Sequence, residues 1–235
     1  MSAPLLRVPG PVTLLGAGPV DPGQLAEALA IAPDVVAADG GGDVTLPAGH
    51  RLTAVIGDMD SLADPGRLRA EGVPLYPIAE QDSTDLEKCL RSVAAPLFVG
   101  LGFLGGRIDH HLAAMNALVR FPELPVVMLG GEDLCLLCPP QFEIDLAAGT
   151  RVSLFPMGPV RGLASRGLRW PIDGLAFDPE GRIGTSNAAT GGVVRLEVDA
   201  PRMLLILPAG TLAPVVDRIR GESGGLSRRW PSRSR

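Results

Sequence analysis

The sequence predicts an α/β N-terminal domain on a parallel, Rossmann-like sheet, followed by an all-β sandwich. Three observations carry that expectation. Over the first half, short apolar runs that read as buried strands alternate with helical patterns. Several of those runs stop at loops of glycine and aspartate. After Pro139-Pro140 the texture changes to short β-rich runs divided by Gly, Pro, Asp and Asn. The expected limits are residues 1–140 for the α/β domain and 141–212 for the sandwich. Residues 213–235 are expected to form a disordered tail, because Gly, Ser and Arg dominate their final stretch.

The totals agree with a globular chain. Its 235 residues can bury an ample core, and 46% apolar with 20% charged residues is ordinary for a folded protein. A net charge of −5 argues against general affinity for nucleic acid. No apolar run has the length of a membrane span, and Met1-Ser2-Ala3-Pro4 lacks the order of a signal peptide, so a cytoplasmic protein is expected.

In order, Val12–Leu15 is the first strand and ends in Gly16-Ala17-Gly18-Pro19, a tight turn. Asp21-Pro22 offers an N-cap and a proline at the first helical position, with Leu25, Ala26, Leu29 and Ala30 on one face. Asp34–Ala38 is the next strand, running into Asp39-Gly40-Gly41-Gly42, where bare backbone lets a ligand approach closely. Thr53–Ile56 ends at Gly57, and Asp58 and Asp60 follow at once. Such a carboxylate pair suits Mg²⁺, a hard cation that takes oxygen ligands and leaves room for phosphates; a solvated turn is the plainer reading.

A short helix is expected over 67–71 and a strand over 73–78. In Gln81-Asp82-Ser83-Thr84-Asp85-Leu86-Glu87, Thr84 and Glu87 have capping-box spacing, which puts Asp85 in the first turn of a helix. Its favourable place in the helix dipole is enough to explain Asp85 alone, but not the crowding of Gln81 and Asp82 beside it. Leu97–Val99 leads into Gly100–Arg107, a glycine-rich loop whose amides and Arg107 fork suit phosphate oxygens, with Asp109 beside them. The adjacent His110 and His111 diverge on a helix and read as packing or hydrogen-bonding residues. Val126–Leu129 closes the series.

Lys88 is the chain's one lysine, and no Walker-type phosphate loop is present. Cys135 and Cys138 form a C-x-x-C inside an apolar run without a second pair, which reads as buried thiols.

Asp39-Gly40-Gly41, Gly57-Asp58-Met59-Asp60-Ser61, Gln81–Asp85 and Gly105–His110 resemble, in order and spacing, the loops of the thiamine pyrophosphokinase (thiamine diphosphokinase) family. Gly167-Leu168-Arg169-Trp170 and Thr185-Ser186-Asn187 extend the resemblance to about Leu207. The family often continues Asp-Gly-Gly with Ala-Asn-Arg, whereas this chain has Gly42-Asp43-Val44, so no Asn-Arg pair is carried over.

The resemblance implies Mg²⁺-dependent transfer of pyrophosphate from ATP to thiamine, releasing AMP. It further implies a homodimer whose active sites are shared between subunits; no nucleic-acid or membrane partner is expected, on the net charge and the lack of a membrane-length apolar run. It puts Asp58, Asp60 and Asp85 at the metal and phosphate, and Gln81, Arg107 and Asp109 in the pyrophosphate and substrate cleft. Asp39 and Thr84 belong with the substrate-binding residues, and Trp170, Ser186 and Asn187 with the thiamine side. The proton acceptor stays open among Asp58, Asp60, Asp85 and Asp109. Two other readings are pyrophosphorylation of another alcohol, such as a hydroxymethylpterin, and a non-catalytic sensor of nucleotide or thiamine diphosphate.

Overall fold

The structure is a computed structural model that describes residues 3–221 and 230–231. Two compact units are present: residues 1–117 with 128–131, and residues 118–127 with 132–235. This division falls within 118–131, upstream of the expected limit at 140.

The first unit begins with β1 (Leu6–Arg7), β2 (Val12–Leu15), α1 (Pro22–Ile31), β3 (Asp34–Ala38) and β4 (Leu52–Gly57). It continues through α2 (Pro65–Ala70), β5 (Leu75–Pro77), α3 (Asp85–Ser92), β6 (Val93–Ala94) and β7 (Phe98–Leu101). α4 (Ile108–Arg120) starts in this unit, and β8 (Val126–Gly130) supplies Met128–Gly130 to it. Strands β5, β4, β3, β2 and β7 lie side by side in that order, all parallel. Leu14 is paired with Val36 on one side and Gly100 on the other. Every residue of β2 and β7 is buried, as expected of strands covered on both faces. The polar exception, Thr13, donates its hydroxyl to the Ala32 carbonyl at 2.6 Å.

Local chemistry sets the helix starts. The Asp21 side chain accepts from the Gln24 N–H at 2.9 Å with Pro22 in the first turn, and Asp64 caps α2 through the Arg67 N–H. Thr84 caps α3 by accepting from the Glu87 N–H.

The carboxyl ends of β2, β3, β4 and β7 open directly into the Gly16, Asp39, Asp58 and Gly102 loops. Ligands of parallel sheets bind at this edge. Glycine is required here. A Cβ on Gly41 would stand 2.1 Å from the Leu15 carbonyl oxygen, and one on Gly16 would stand 2.6 Å from that of Gly102.

The second unit contains β9 (Asp133–Leu137), β10 (Gln141–Leu146), β11 (Arg151–Pro156), β12 (Val160–Arg166) and β13 (Ala176–Phe177). It goes on with β14 (Gly184–Ala188), β15 (Gly192–Val198), β16 (Met203–Pro208) and α5 (Leu212–Arg220). Its strand pairs are antiparallel, in the orders β9-β16-β11-β14 and β10-β15-β12-β13. β10 alternates buried Phe142, Ile144 and Leu146 with more exposed residues, the period-two pattern of a half-covered sheet. Cys135 and Cys138 are buried thiols outside any disulfide, each raised to about 12, chiefly by desolvation.

The expected disordered tail over 213–235 is corrected for its first part. Leu212, Val215 and Val216 are buried on one side of α5, which packs against β10 and ends at Gly221 in the left-handed conformation. Spacing at i, i+3 and i+4 is a helical signature that the Gly-Ser-Arg composition downstream obscured. Trp230 is described as well, and its indole N–H donates to the Cys138 carbonyl at 2.9 Å. Residues 222–229 and 232–235 lie outside the described residues. No helix among the described residues is long and apolar enough to cross a membrane.

Candidate active site

The loops at the strand ends of the first unit enclose a cleft of about 640 Å³, a size suited to a nucleotide-sized ligand. Asp39, Asp58, Gln81, Thr84, Asp85 and Arg107 all line it. Gly16, Gly18, Gly102 and Gly106 add bare backbone to its wall.

Asp39 sits in the tight turn that follows β3, with φ 42°, a left-handed conformation in which Asp and Asn are the better tolerated side chains. Its residue is 2% exposed. Oδ2 accepts from the Ser61 N–H at 3.1 Å, while Oδ1 is buried with no hydrogen-bond partner among the described residues. Burial drives the carboxyl up to about 6, against the pull of the Ser61 N–H and with help from the charges of Asp85 and Asp58. A buried carboxylate oxygen with nothing to bind is costly unless a cation satisfies it.

That cation has further ligands at hand. Asp39, Asp58 and Asp60 offer carboxylate oxygens within 4.8 Å of one another. An all-oxygen, anionic donor set of this kind fits Mg²⁺. Gln81 Nε2 donates to Asp58 Oδ2 at 2.8 Å, the chief cause that holds the Asp58 carboxyl down at about 2. The Asp60 N–H and the charge of Lys88 act in the same direction, so Asp58 is ionised at any ordinary pH. Gln81 therefore orients an acid of the group.

Asp85 stands apart from that trio. Its Oδ1 accepts from Lys88 Nζ at 2.9 Å, and the same ammonium is 3.6 Å from Asp58 Oδ2. Thr84 spends its hydroxyl on the cap of α3 while lining the cleft. Lys88 was missed among the site residues, although its place one helical turn after Asp85 was readable.

Arg107 and Asp109 form a two-pronged pair at 3.1 and 2.6 Å at the start of α4. That hydrogen bond raises the Arg107 pKa and lowers the Asp109 pKa. Both side chains are largely exposed, so solvent screens the pair and leaves the guanidinium accessible to an incoming anion. Arg107 and His110 line the cleft.

In the second unit, Trp170 is 53% exposed, with the Arg169 guanidinium 4.8 Å from its ring centroid. Asn187 is buried and braces it from below: Oδ1 accepts from the Trp170 N–H at 3.1 Å and Nδ2 donates to the Trp170 carbonyl at 2.7 Å. Ser186 is exposed, with φ 63°, and its N–H donates to Ser153 Oγ at 3.0 Å. The structure thus brings Trp170, Ser186 and Asn187 together on and beside β14, with Asn187 engaged by backbone rather than open.

Two family descriptions match the chain. Thiamin pyrophosphokinase, catalytic domain, matches residues 25–128, and Thiamin pyrophosphokinase, vitamin B1 binding domain, matches residues 141–203. Thiamine pyrophosphokinase 1 of Oryza sativa subsp. japonica is 29% identical over 169 residues, covering 64% of this chain and 64% of that protein. Thiamine pyrophosphokinase 2 of Arabidopsis thaliana is 29% identical over 153 residues, covering 59% and 57%. The matches thus span less than two thirds of these relatives' length. Among solved structures, yeast thiamin pyrophosphokinase superposes with a TM-score of 0.71 at 17% identity, covering 87% of this chain and 88% of that one. Thiamin pyrophosphokinase from Geobacillus thermodenitrificans gives 0.69 at 20% identity, covering 84% and 96%. At these identities the structural likeness is one of fold.

Proposed function

This chain belongs to the thiamin pyrophosphokinase family, and we propose that it transfers pyrophosphate from ATP to thiamine, giving thiamine diphosphate and AMP. The observation that carries the reading is the buried Oδ1 of Asp39, without a partner among the described residues, within a three-carboxylate group of which Asp39 and Asp58 line a nucleotide-sized cleft. In this proposal Asp39, Asp58 and Asp60 hold Mg²⁺. The ion would supply charge neutralisation for the phosphates. In this reading Asp39 joins Asp58 and Asp60 of the expected metal set, while Asp85 is engaged by Lys88 beside them.

The remaining work falls to positioning. Arg107 exchanges its Asp109 partner for phosphate oxygens, and the glycine-lined amides before α4 take others, because phosphoryl-type transfer is helped mainly by orientation and fixed positive charge. An aspartate near the attacking hydroxyl accepts its proton. Asp58, ionised down to about pH 2, is a poor base and better suited as a ligand. We assign Trp170 to the thiamine side as an exposed aromatic face, with Ser186 beside it and Asn187 holding the Trp170 backbone. We take the parallel unit as the nucleotide side and the antiparallel sheets as a sandwich that presents thiamine. The active enzyme is a homodimer whose sites draw on both subunits.

The test is incubation with ATP, Mg²⁺ and thiamine, with AMP and ADP measured separately. Attack at the β-phosphorus requires AMP to accumulate in step with thiamine diphosphate. Stoichiometric ADP with thiamine monophosphate would refute the proposal, and faster turnover of a hydroxymethylpterin than of thiamine would reassign the acceptor.

A further inference from the structure

Lys88 is 3% exposed on α3, and burying an ammonium is unfavourable unless it is well paired. Its pairing is divided. Nζ donates to Asp85 Oδ1 at 2.9 Å, one turn back on the same helix, and lies 3.6 Å from Asp58 Oδ2 in the loop after β4. Held by carboxylate oxygens at these distances, the ammonium is a fixed positive charge between two sets of acids. On one side Asp39, Asp58 and Asp60 crowd their oxygens within 4.8 Å, and on the other Asp85 is engaged by the lysine and stands outside that group.

We propose that Lys88 is a positioning residue that holds Asp85 out of the cation-binding trio and shares Asp58 with it, limiting how tightly the nucleotide-free cleft binds a divalent ion. The inference rests on the reading of this cleft as a cation site. Its logic is charge balance at short range: an ammonium at 3.6 Å from a ligand oxygen offsets part of the field that a dication would feel. Without it, Asp58 is uncompensated and Asp85 is released toward the trio. A site that binds its ion weakly alone, and completes the coordination with phosphate, favours arrival of metal and nucleotide together.

The experiment is Mn²⁺ titration of the full chain without ATP or thiamine, followed by the electron paramagnetic resonance signal of free Mn²⁺. Lys88→Met is expected to bind Mn²⁺ at least about tenfold more tightly than wild type, and Lys88→Arg within about threefold of it. Lys88→Met/Asp85→Asn has no Asp85 carboxylate to release but still leaves Asp58 uncompensated, so it should bind Mn²⁺ at least about threefold more tightly than wild type and less tightly than Lys88→Met. It carries the test by itself should the single variant fail to fold, and wild-type affinity in it would then overturn the inference. Unchanged affinity in a folded Lys88→Met would overturn the inference. So would a tenfold or greater loss in the double variant, because Asp85 would then be a ligand in the native protein. Wild-type protein that takes up no Mn²⁺ at millimolar concentration would overturn the cation-site reading and this inference together, whereas binding that is insensitive to Lys88 overturns this inference alone.

Discussion

Asp39→Asn removes one buried negative charge and nearly preserves shape. The amide oxygen can still accept from the Ser61 N–H, and asparagine tolerates the φ of 42° at this position as well as aspartate does. In the native protein the carboxyl is lifted from 3.8 to about 6, chiefly by burial. A folded pKa above the unfolded one means that the folded state holds the proton more tightly. The carboxyl therefore costs nothing below pH 3.8 and costs progressively more as the pH rises toward 6. Above that, a shift of roughly two pKa steps at 1.36 kcal/mol each amounts to about 3 kcal/mol. Urea titration in EDTA should find the two proteins nearly equal near pH 4, and the mutant more stable by about 2–3 kcal/mol at pH 8. Mg²⁺ at pH 8 should then stabilise the wild type and leave the mutant unmoved, because only the native carboxylate group binds the ion. A mutant less stable than wild type at pH 8 in EDTA would refute the account of Asp39 as a strained acid awaiting a cation.

Asp58→Asn, Asp60→Asn and Asp85→Asn should each lower AMP formation by at least about a hundredfold; Asp60→Asn should leave the melting temperature nearly unchanged, whereas Asp58→Asn and Asp85→Asn should lower it as well, because each takes a charged partner from the buried Lys88 ammonium. Near-normal turnover in any two of the three would remove the acidic cleft from the chemistry. A site shared across a dimer can be tested by complementation: Asp85→Asn and Trp170→Ala/Ser186→Ala, each inactive, are unfolded and refolded together. About half the dimers are then mixed, each with one intact site, and about a quarter of wild-type activity should return; activity at the level of the separate mutants, with exchange proven, excludes sharing. Asn187→Ala strands the N–H and C=O of Trp170 and should cost about 1–3 kcal/mol of stability while raising the KM for thiamine. An unchanged KM would show that Trp170 needs no such brace.

The sequence by itself determined what depends on near neighbours. β2, β3 and β4 were legible because strands covered on both faces are continuous apolar runs, and the starts of α1 and α3 because Asp21 and Thr84 cap them through residues three positions on. The acidic and glycine-rich loops could be found because each directly follows such a strand. β12, with Arg161, Gly162 and Ser165 in its seven residues, carried too little apolar signal to be read, and its place depends on pairing with β15, whose register partners lie 29 to 36 residues away. Only the tertiary structure decided how the acids divide. Asp39 is a turn residue in sequence, and its orphaned oxygen exists because the Ser61 loop and the β4 end close over it. The contact of Lys88 with Asp85 is one turn of helix and local, but its contact with Asp58 spans thirty positions and forms only when α3 packs on β4. Burial and charge pairing of this kind are properties of chains brought together across a sheet, and no local period in the sequence encodes them.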